Sequence, residues 1–174
     1  MKAKLNRLFT AGMILFVAAA MVLSGCKKQN DEPEPQPEPQ PQPTQNLNGN
    51  VSRPVWEAPS IYDYTSSMTV TLKVDLLAQY PEGAKDFELK NEDLVAAFVG
   101  ETCLGVASPQ DGLFFLYISG PDTAGEEQQN ITLRYYSAHY KNLFVAENAF
   151  PFVNNEKPGT VSEPYIPKLL LASK

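Results

Sequence analysis

Ser67-Met-Thr-Val-Thr-Leu-Lys-Val-Asp-Leu76 sets Met68, Val70, Leu72, Val74 and Leu76 against Ser67, Thr69, Thr71, Lys73 and Asp75. A period of two with one apolar face predicts a half-buried β-strand. Two neighbouring runs are apolar on both faces. In Leu94-Val-Ala-Ala-Phe-Val99, Leu94, Ala96 and Phe98 fall on one side and Val95, Ala97 and Val99 on the other. Leu113-Phe-Phe-Leu-Tyr-Ile-Ser119 behaves in the same way. Gly100-Glu101 joins the first run to Thr102–Ala107, and a glycine-first two-residue link suits a type II′ hairpin. Gly105 inside the second arm marks a bulge or a close backbone approach.

Further strands follow with turn signals between them. Asp111-Gly112 closes one turn, and residues 120–130 form a polar loop. Ile131–Ser137 alternates Ile131, Leu133 and Tyr135 against Thr132, Arg134 and Tyr136. Lys141–Ala146 is expected to carry Leu143 and Val145 inward, with Phe144 opposite. Tyr165–Leu171 can close the sheet after Pro158-Gly159, with Pro164 and Pro167 confining its start to an edge. No convincing helical period separates these runs. The fold class expected is all-β: a single antiparallel β-sandwich of seven or eight strands, immunoglobulin-like. The outer faces of the two doubly apolar strands then need a cover. The segment 47–66, with Trp56, Ile61, Tyr62 and Tyr64, is the expected one, and an apolar patch left open for association is the alternative.

The N-terminal part is of another kind. Lys2, Lys4 and Arg7 precede an apolar run from Leu8 to Leu23, shorter than the roughly 20 residues that span a bilayer. Basic flank, apolar core and small residues read as an export signal. Leu23-Ser24-Gly25-Cys26 resembles the lipobox of bacterial lipoproteins. That resemblance implies cleavage before Cys26 and acylation of Cys26, a membrane partner through the N-terminal lipid. The residue after the cysteine is Lys27 and not Asp. Lys27-Lys28-Gln29-Asn30-Asp31-Glu32 is similar to the surface-export signals of Bacteroides-group lipoproteins. The expected localisation is the outer membrane at the cell surface, with the periplasm-facing side as the alternative. Residues 33–43 place proline at every second position, a pattern that favours polyproline II. From Cys26 to Gln45 this gives an arm of about 60 Å when extended. The expected organisation is a signal peptide (1–25), a lipidated Pro-rich stalk (26–46) and a sandwich domain (47–174).

A second resemblance concerns the domain. Asp93-Leu-Val-Ala-Ala-Phe-Val-Gly-Glu-Thr-Cys-Leu-Gly-Val-Ala107, Ile131-Thr-Leu-Arg-Tyr-Tyr-Ser137, Phe150-Pro-Phe152 and Gly159-Thr-Val-Ser-Glu-Pro-Tyr-Ile166 together resemble a recurrent module of Bacteroides-group surface and secreted proteins. The resemblance spans about residues 56–167 and implies a β-sandwich attachment. Its motif positions are glycines, aromatics and apolar residues, which report a fold more than an activity.

Composition narrows the chemistry. The net charge is −6, and removing Lys2, Lys4 and Arg7 with the signal takes it to −9. An acidic domain without a Lys/Arg cluster is not built for nucleic acid. Of two cysteines Cys26 is reserved for lipid, so Cys103 has no partner and is expected as a small buried hydrophobe. His139 is the sole histidine, in the turn Ser137-Ala138-His139-Tyr140, where a solvated side chain is expected. No Gly-x-Ser-x-Gly elbow accompanies Ser137. No catalytic residue, cofactor or metal ligand is expected. Asn91-Glu92-Asp93 and Glu126-Glu127 could offer oxygens to calcium, but neither forms an EF-hand loop, and solvated loop charge is the expected role. Trp56, Tyr62, Tyr64, Tyr135 and Tyr140, with Tyr136, are the candidate ligand-binding aromatics, because flat rings stack on sugar faces and suit protein interfaces. The expected function is a non-catalytic binding domain for a glycan or for a host or envelope protein. A structural component acting through an apolar sheet face or an edge strand is the alternative.

Overall fold

A computed structural model describes residues 45–120 and 129–172. The export signal, Cys26, nearly all of the Pro-rich stalk, and most of the 120–130 loop with Glu126-Glu127 lie outside the described residues. The elements are β1 (Ser66–Leu72), α1 (Leu76–Gln79), β2 (Leu94–Val99), β3 (Thr102–Ala107), β4 (Pro109–Gln110), β5 (Leu113–Gly120), β6 (Asn130–Ser137), β7 (Asn142–Ala146), β8 (Phe150–Pro151) and β9 (Leu169–Leu171). One sheet has the order β1-β5-β4; the other has β3-β2-β6-β7-β9, with β8 on β6. The ladders are antiparallel, and the two sheets form a β-sandwich.

The core lies between them. Met68, Val70 and Leu72 pair across the ladder with Ile118, Leu116 and Phe114. They meet Val95, Ala97, Leu133, Tyr135 and Phe144 of the other sheet. Each Val, Leu, Ile, Met or Phe side chain among them contributes about 1.5–3 kcal/mol on burial. Side-chain alternation thus converts the pattern at 67–72 directly into a packed layer.

The alternation outlasts the strand. β1 stops at Leu72, short of the expected Leu76, because Asp75 accepts from the Ala78 N–H at 3.0 Å and caps α1. Val74 and Leu76 remain buried, delivered by a turn and one short helix. β7 corrects a second expectation: Phe144 faces the core, and Leu143 and Val145 face outward. The Ser137↔Asn142 pair, closed by the turn at 138–141, sets a register that puts Phe144 opposite Tyr135. The aromatic pair shares the inner face at 5.8 Å between ring centres. The closing strand is likewise reduced to β9, with Tyr165 held to Leu72 by a single bridge.

Gly100 has φ +58° in the two-residue β2–β3 link, the sign a type II′ turn needs at its first position. At Gly105 both expected features occur. The ladder shifts register between Ala97 and Phe98, and a Cβ at Gly105 would lie 2.1 Å from the Tyr117 carbonyl oxygen. β5 therefore crosses β3 at backbone contact. The chain then passes from β3 in one sheet to β4 in the other, forming a corner between layers.

The β1 edge and Leu169 of β9 are occupied. Along β1, Thr69 and Thr71 N–H groups donate to the carbonyls of Glu156 and Pro158, and Tyr165 N–H donates to Thr71. On β9, Leu169 N–H donates to Gln79 Oε1 at 2.6 Å, and Tyr80 Oη donates to the Leu169 carbonyl at 2.7 Å. The segment after Gln45 is tied to the β6–β7 turn. Gly49 and Val51 N–H groups donate to the carbonyls of Tyr140 and Lys141, and Asn142 Nδ2 donates to that of Leu47, whose side chain is buried.

Candidate functional site

Segment 47–66 covers one of the two doubly apolar strands and leaves the other open. Trp56 packs edge-on against Phe98 at 5.7 Å. Tyr136 Oη donates to the Val51 carbonyl, and Arg53 Nε donates to that of Glu92. The outer residues of β2 are buried, Phe98 between Trp56 and the Arg134 guanidinium, which lies 4.1 Å from its ring centre. Ile61 and Tyr62, expected in the same role, are exposed instead. Phe115 and Tyr117 on the outer face of β5 remain 41% and 45% exposed.

These two rings define the candidate site. Opposite them on β1 stand Thr71 and Thr69, in register with Phe115 and Tyr117. On the other flank β4 brings Gln110 opposite Leu113. The backbone places the rings two residues apart on one face, about 7 Å along the strand. None of these six side chains is charged. Aromatic rings flanked by hydroxyl and amide groups can bind by stacking and hydrogen bonding.

The aromatics singled out from sequence fall elsewhere. Tyr135 is 1% exposed and Tyr140 is buried, so neither can stack on a ligand. Tyr135 lies in the core because its inward position in β6 meets Phe114 and Phe144. Tyr136 is buried beneath the cover. Tyr64 packs against the core, Trp56 serves the cover, and Tyr62 projects alone, 90% exposed. They do not converge. Phe115 and Tyr117 were missed, although the doubly apolar run 113–119 carried the signal that one face needed a partner.

The titratable groups have structural roles. Asp93 is fully buried, not a solvated loop charge. Its carboxylate accepts from Tyr135 Oη at 2.6 Å and from Ala138 N–H at 2.7 Å. Burial raises its pKa against the lowering effect of those donors. Burial, then the Asp93 charge, pushes the Tyr135 hydroxyl far above its usual range. Tyr140, hydrogen-bonded to Asp86 at 3.1 Å, is pushed up to about 12, chiefly by burial. His139 is not free in solvent: it lies edge-on to Tyr140, with Nε2 3.5 Å from Asp86 Oδ2. Cys103 is half-buried, and burial raises its pKa, which keeps the thiol protonated. Among the described residues no cluster of three His, Cys, Asp or Glu side chains could hold a metal ion.

Two concavities lie away from the aromatic face. One of 510 Å³ runs between Gln45, the α1 end and β9. The other, of 120 Å³, sits between β8 and the segment along β1. Among the described residues no helix is long and apolar enough to cross a membrane. No protein family model, no curated protein and no solved structure matches this chain.

Proposed function

We propose that the chain is a lipoprotein, anchored through Cys26 in the outer membrane and displayed at the cell surface. Its sandwich domain binds a glycan without catalysis. The observation that carries the binding reading is the pair Phe115 and Tyr117, 41% and 45% exposed on the outer face of β5 while the outer residues of β2 are buried. A protein of this size gains nothing in stability by leaving two rings in water, whereas a sugar face stacked on them removes both surfaces from solvent. The lipobox, the proline stalk and the similarity to Bacteroides-group surface modules support display on an arm. Strand addition at β1 or at Leu169 of β9 has less support, because their outward groups are bonded within the chain.

The test is a glycan array probed with the chain and with its Phe115→Ala and Tyr117→Ala variants. Binding by the parent and loss in both variants is expected. A blank array, with a protein captured through the same two residues, would replace the glycan with a protein partner. For the anchor, Cys26→Ala should leave the signal uncleaved and abolish incorporation of labelled fatty acid, giving a heavier, unlabelled chain; an unchanged mass and no label in the parent refute lipidation.

A further inference from the structure

We infer that Asn48 is a site of spontaneous covalent modification, cyclising to a succinimide that hydrolyses to aspartate or isoaspartate, and that the tie between residues 47–51 and the β6–β7 turn holds it in check. Asn48-Gly49 is the one Asn-Gly pair in the chain. The nucleophile in this reaction is the backbone nitrogen of the following residue, and glycine, without a side chain, hinders it least. The fold demands glycine here: a Cβ at position 49 would lie 2.7 Å from the Lys141 carbonyl oxygen and 2.7 Å from Asn142 Cγ. Asn48 itself is exposed, so water reaches its amide. The packing that needs Gly49 thus sets the least hindered neighbour beside Asn48.

The reaction balances with water alone. The Gly49 nitrogen bonds to Asn48 Cγ, and the side-chain nitrogen leaves as ammonia, taking the Gly49 amide proton. Water then adds to either carbonyl of the ring and opens it, to aspartate or to an isoaspartate whose backbone runs through Cβ. In the folded chain the nucleophile is engaged. Gly49 N–H donates to the Tyr140 carbonyl at 2.8 Å, and Val51 N–H donates to that of Lys141 at 2.8 Å. On the other side, Asn48 N–H donates to Asn46 Oδ1 at 3.0 Å, and the Leu47 carbonyl accepts from Asn142 Nδ2 at 3.1 Å. Ring closure must turn the Gly49 nitrogen away from its acceptor, so it waits for residues 47–51 to open. Local openings require less free energy than global unfolding, and conversion tracks the population of the open form. The change is one-way. An isoaspartate link lengthens the backbone by one carbon, about 1.5 Å, whereas hydrogen bonds tolerate about 0.5 Å. Gly49 and Val51 then stay out of register with the carbonyls of Tyr140 and Lys141.

Peptide mass spectrometry of the full chain in detergent, held at neutral pH, follows each asparagine by the mass gained when amide becomes acid. In concentrated urea Asn48 should convert faster than any other asparagine of the chain. In the folded parent it should convert about tenfold more slowly than in urea, or slower still. Leu47→Ala and Asn142→Ala each remove one anchor of the tie. Both should recover most of that difference, with faster hydrogen exchange at Gly49 and Val51 and parent-like exchange along the β1–β5 ladder. Where either variant fails to fold, the parent decides alone. Below its unfolding transition the rate at Asn48 should be nearly flat in urea, because opening residues 47–51 exposes little surface. Aged parent carrying isoaspartate at position 48 should leave the Gly49 and Val51 amides unprotected. An Asn48 no faster than the other asparagines in urea, or as fast in the folded parent as in urea, overturns the inference. So does a parent-like rate in both folded variants, or a parent rate that climbs with urea as steeply as global unfolding. Protection of Gly49 and Val51 that survives isoaspartate formation overturns the one-way change.

Discussion

Removing the Asp93 carboxylate should cost the domain much of its stability. Asp93→Ala takes from the Tyr135 hydroxyl, in a side chain 1% exposed, its carboxylate acceptor, and frees the N–H groups of Lys90 and of Ala138 at the start of the β6–β7 turn. A buried donor left unsatisfied costs about 1–3 kcal/mol. Tyr135 counts near the top of that range and the partly exposed Ala138 N–H near the bottom, a total of about 3–4 kcal/mol. Relief of the buried charge offsets part of this, which leaves about 2–3 kcal/mol. Asp93→Asn retains an acceptor for Ala138 N–H and can donate its amide to Tyr135 Oη, so it should cost about 1 kcal/mol or less. The pH dependence has a definite sign. The folded pKa of Asp93 is raised, so the native state binds the proton more tightly than the unfolded chain. The contribution is therefore fully present below the unfolded value of about 3.9 and is lost as pH rises through the folded value. Asp86, Glu88 and Glu101, whose pKa values are lowered by Tyr140, Lys90 and Arg134 respectively, act in the opposite sense. The difference between parent and Asp93→Asn isolates the buried group. Urea unfolding of both variants and the parent, from about pH 4 to about pH 7, measures it. The parent should lose stability relative to Asp93→Asn as pH rises. An alanine cost below about 1 kcal/mol, or a parent-to-Asn difference that is flat with pH, refutes the account of this carboxylate.

Two other substitutions probe the packing. Gly105→Ala drives a Cβ to 2.1 Å from the Tyr117 carbonyl oxygen, a backbone atom that cannot swing aside. Thermal melting should show a loss above about 3 kcal/mol or no cooperative transition, and a melt like the parent's would mean that β3 and β5 do not cross there. Phe144→Ala should cost about 3–5 kcal/mol in urea unfolding and Val145→Ala about 1 kcal/mol; the reverse order would restore the inward Leu143 and Val145.

The fold was legible because its signals are local. Alternation at Ser67–Leu72, the Gly100-Glu101 link and Gly105 each act through neighbouring backbone, and each has the structural effect its chemistry implies. The facing of β7 was not legible. Leu143, Phe144 and Val145 are all apolar, and only the Ser137↔Asn142 register decides which side is inner. The candidate site was hidden for a similar reason. An apolar run on both faces says that one face needs a cover, but not whether the chain provides it. Segment 47–66 covers β2 through Trp56 and stops short of β5, a long-range outcome without a local signature. Asp93 looked like loop charge because its acceptor role depends on Tyr135 and Ala138, more than forty residues away.

The ties at the start of the folded region also carry a mechanical meaning. Gly49 and Val51 are zipped by two backbone bonds to the β6–β7 turn, and Leu47 is held by Asn142 and buried against the core. Tension applied upstream of Gln45 reaches these few bonds before it reaches any ladder of either sheet. They act as a short fuse in series with the sandwich. A moderate pull spends its work peeling residues 47–51 from the turn and lengthening the leash, while the β1–β5 ladder and the rings of Phe115 and Tyr117 keep their geometry under load.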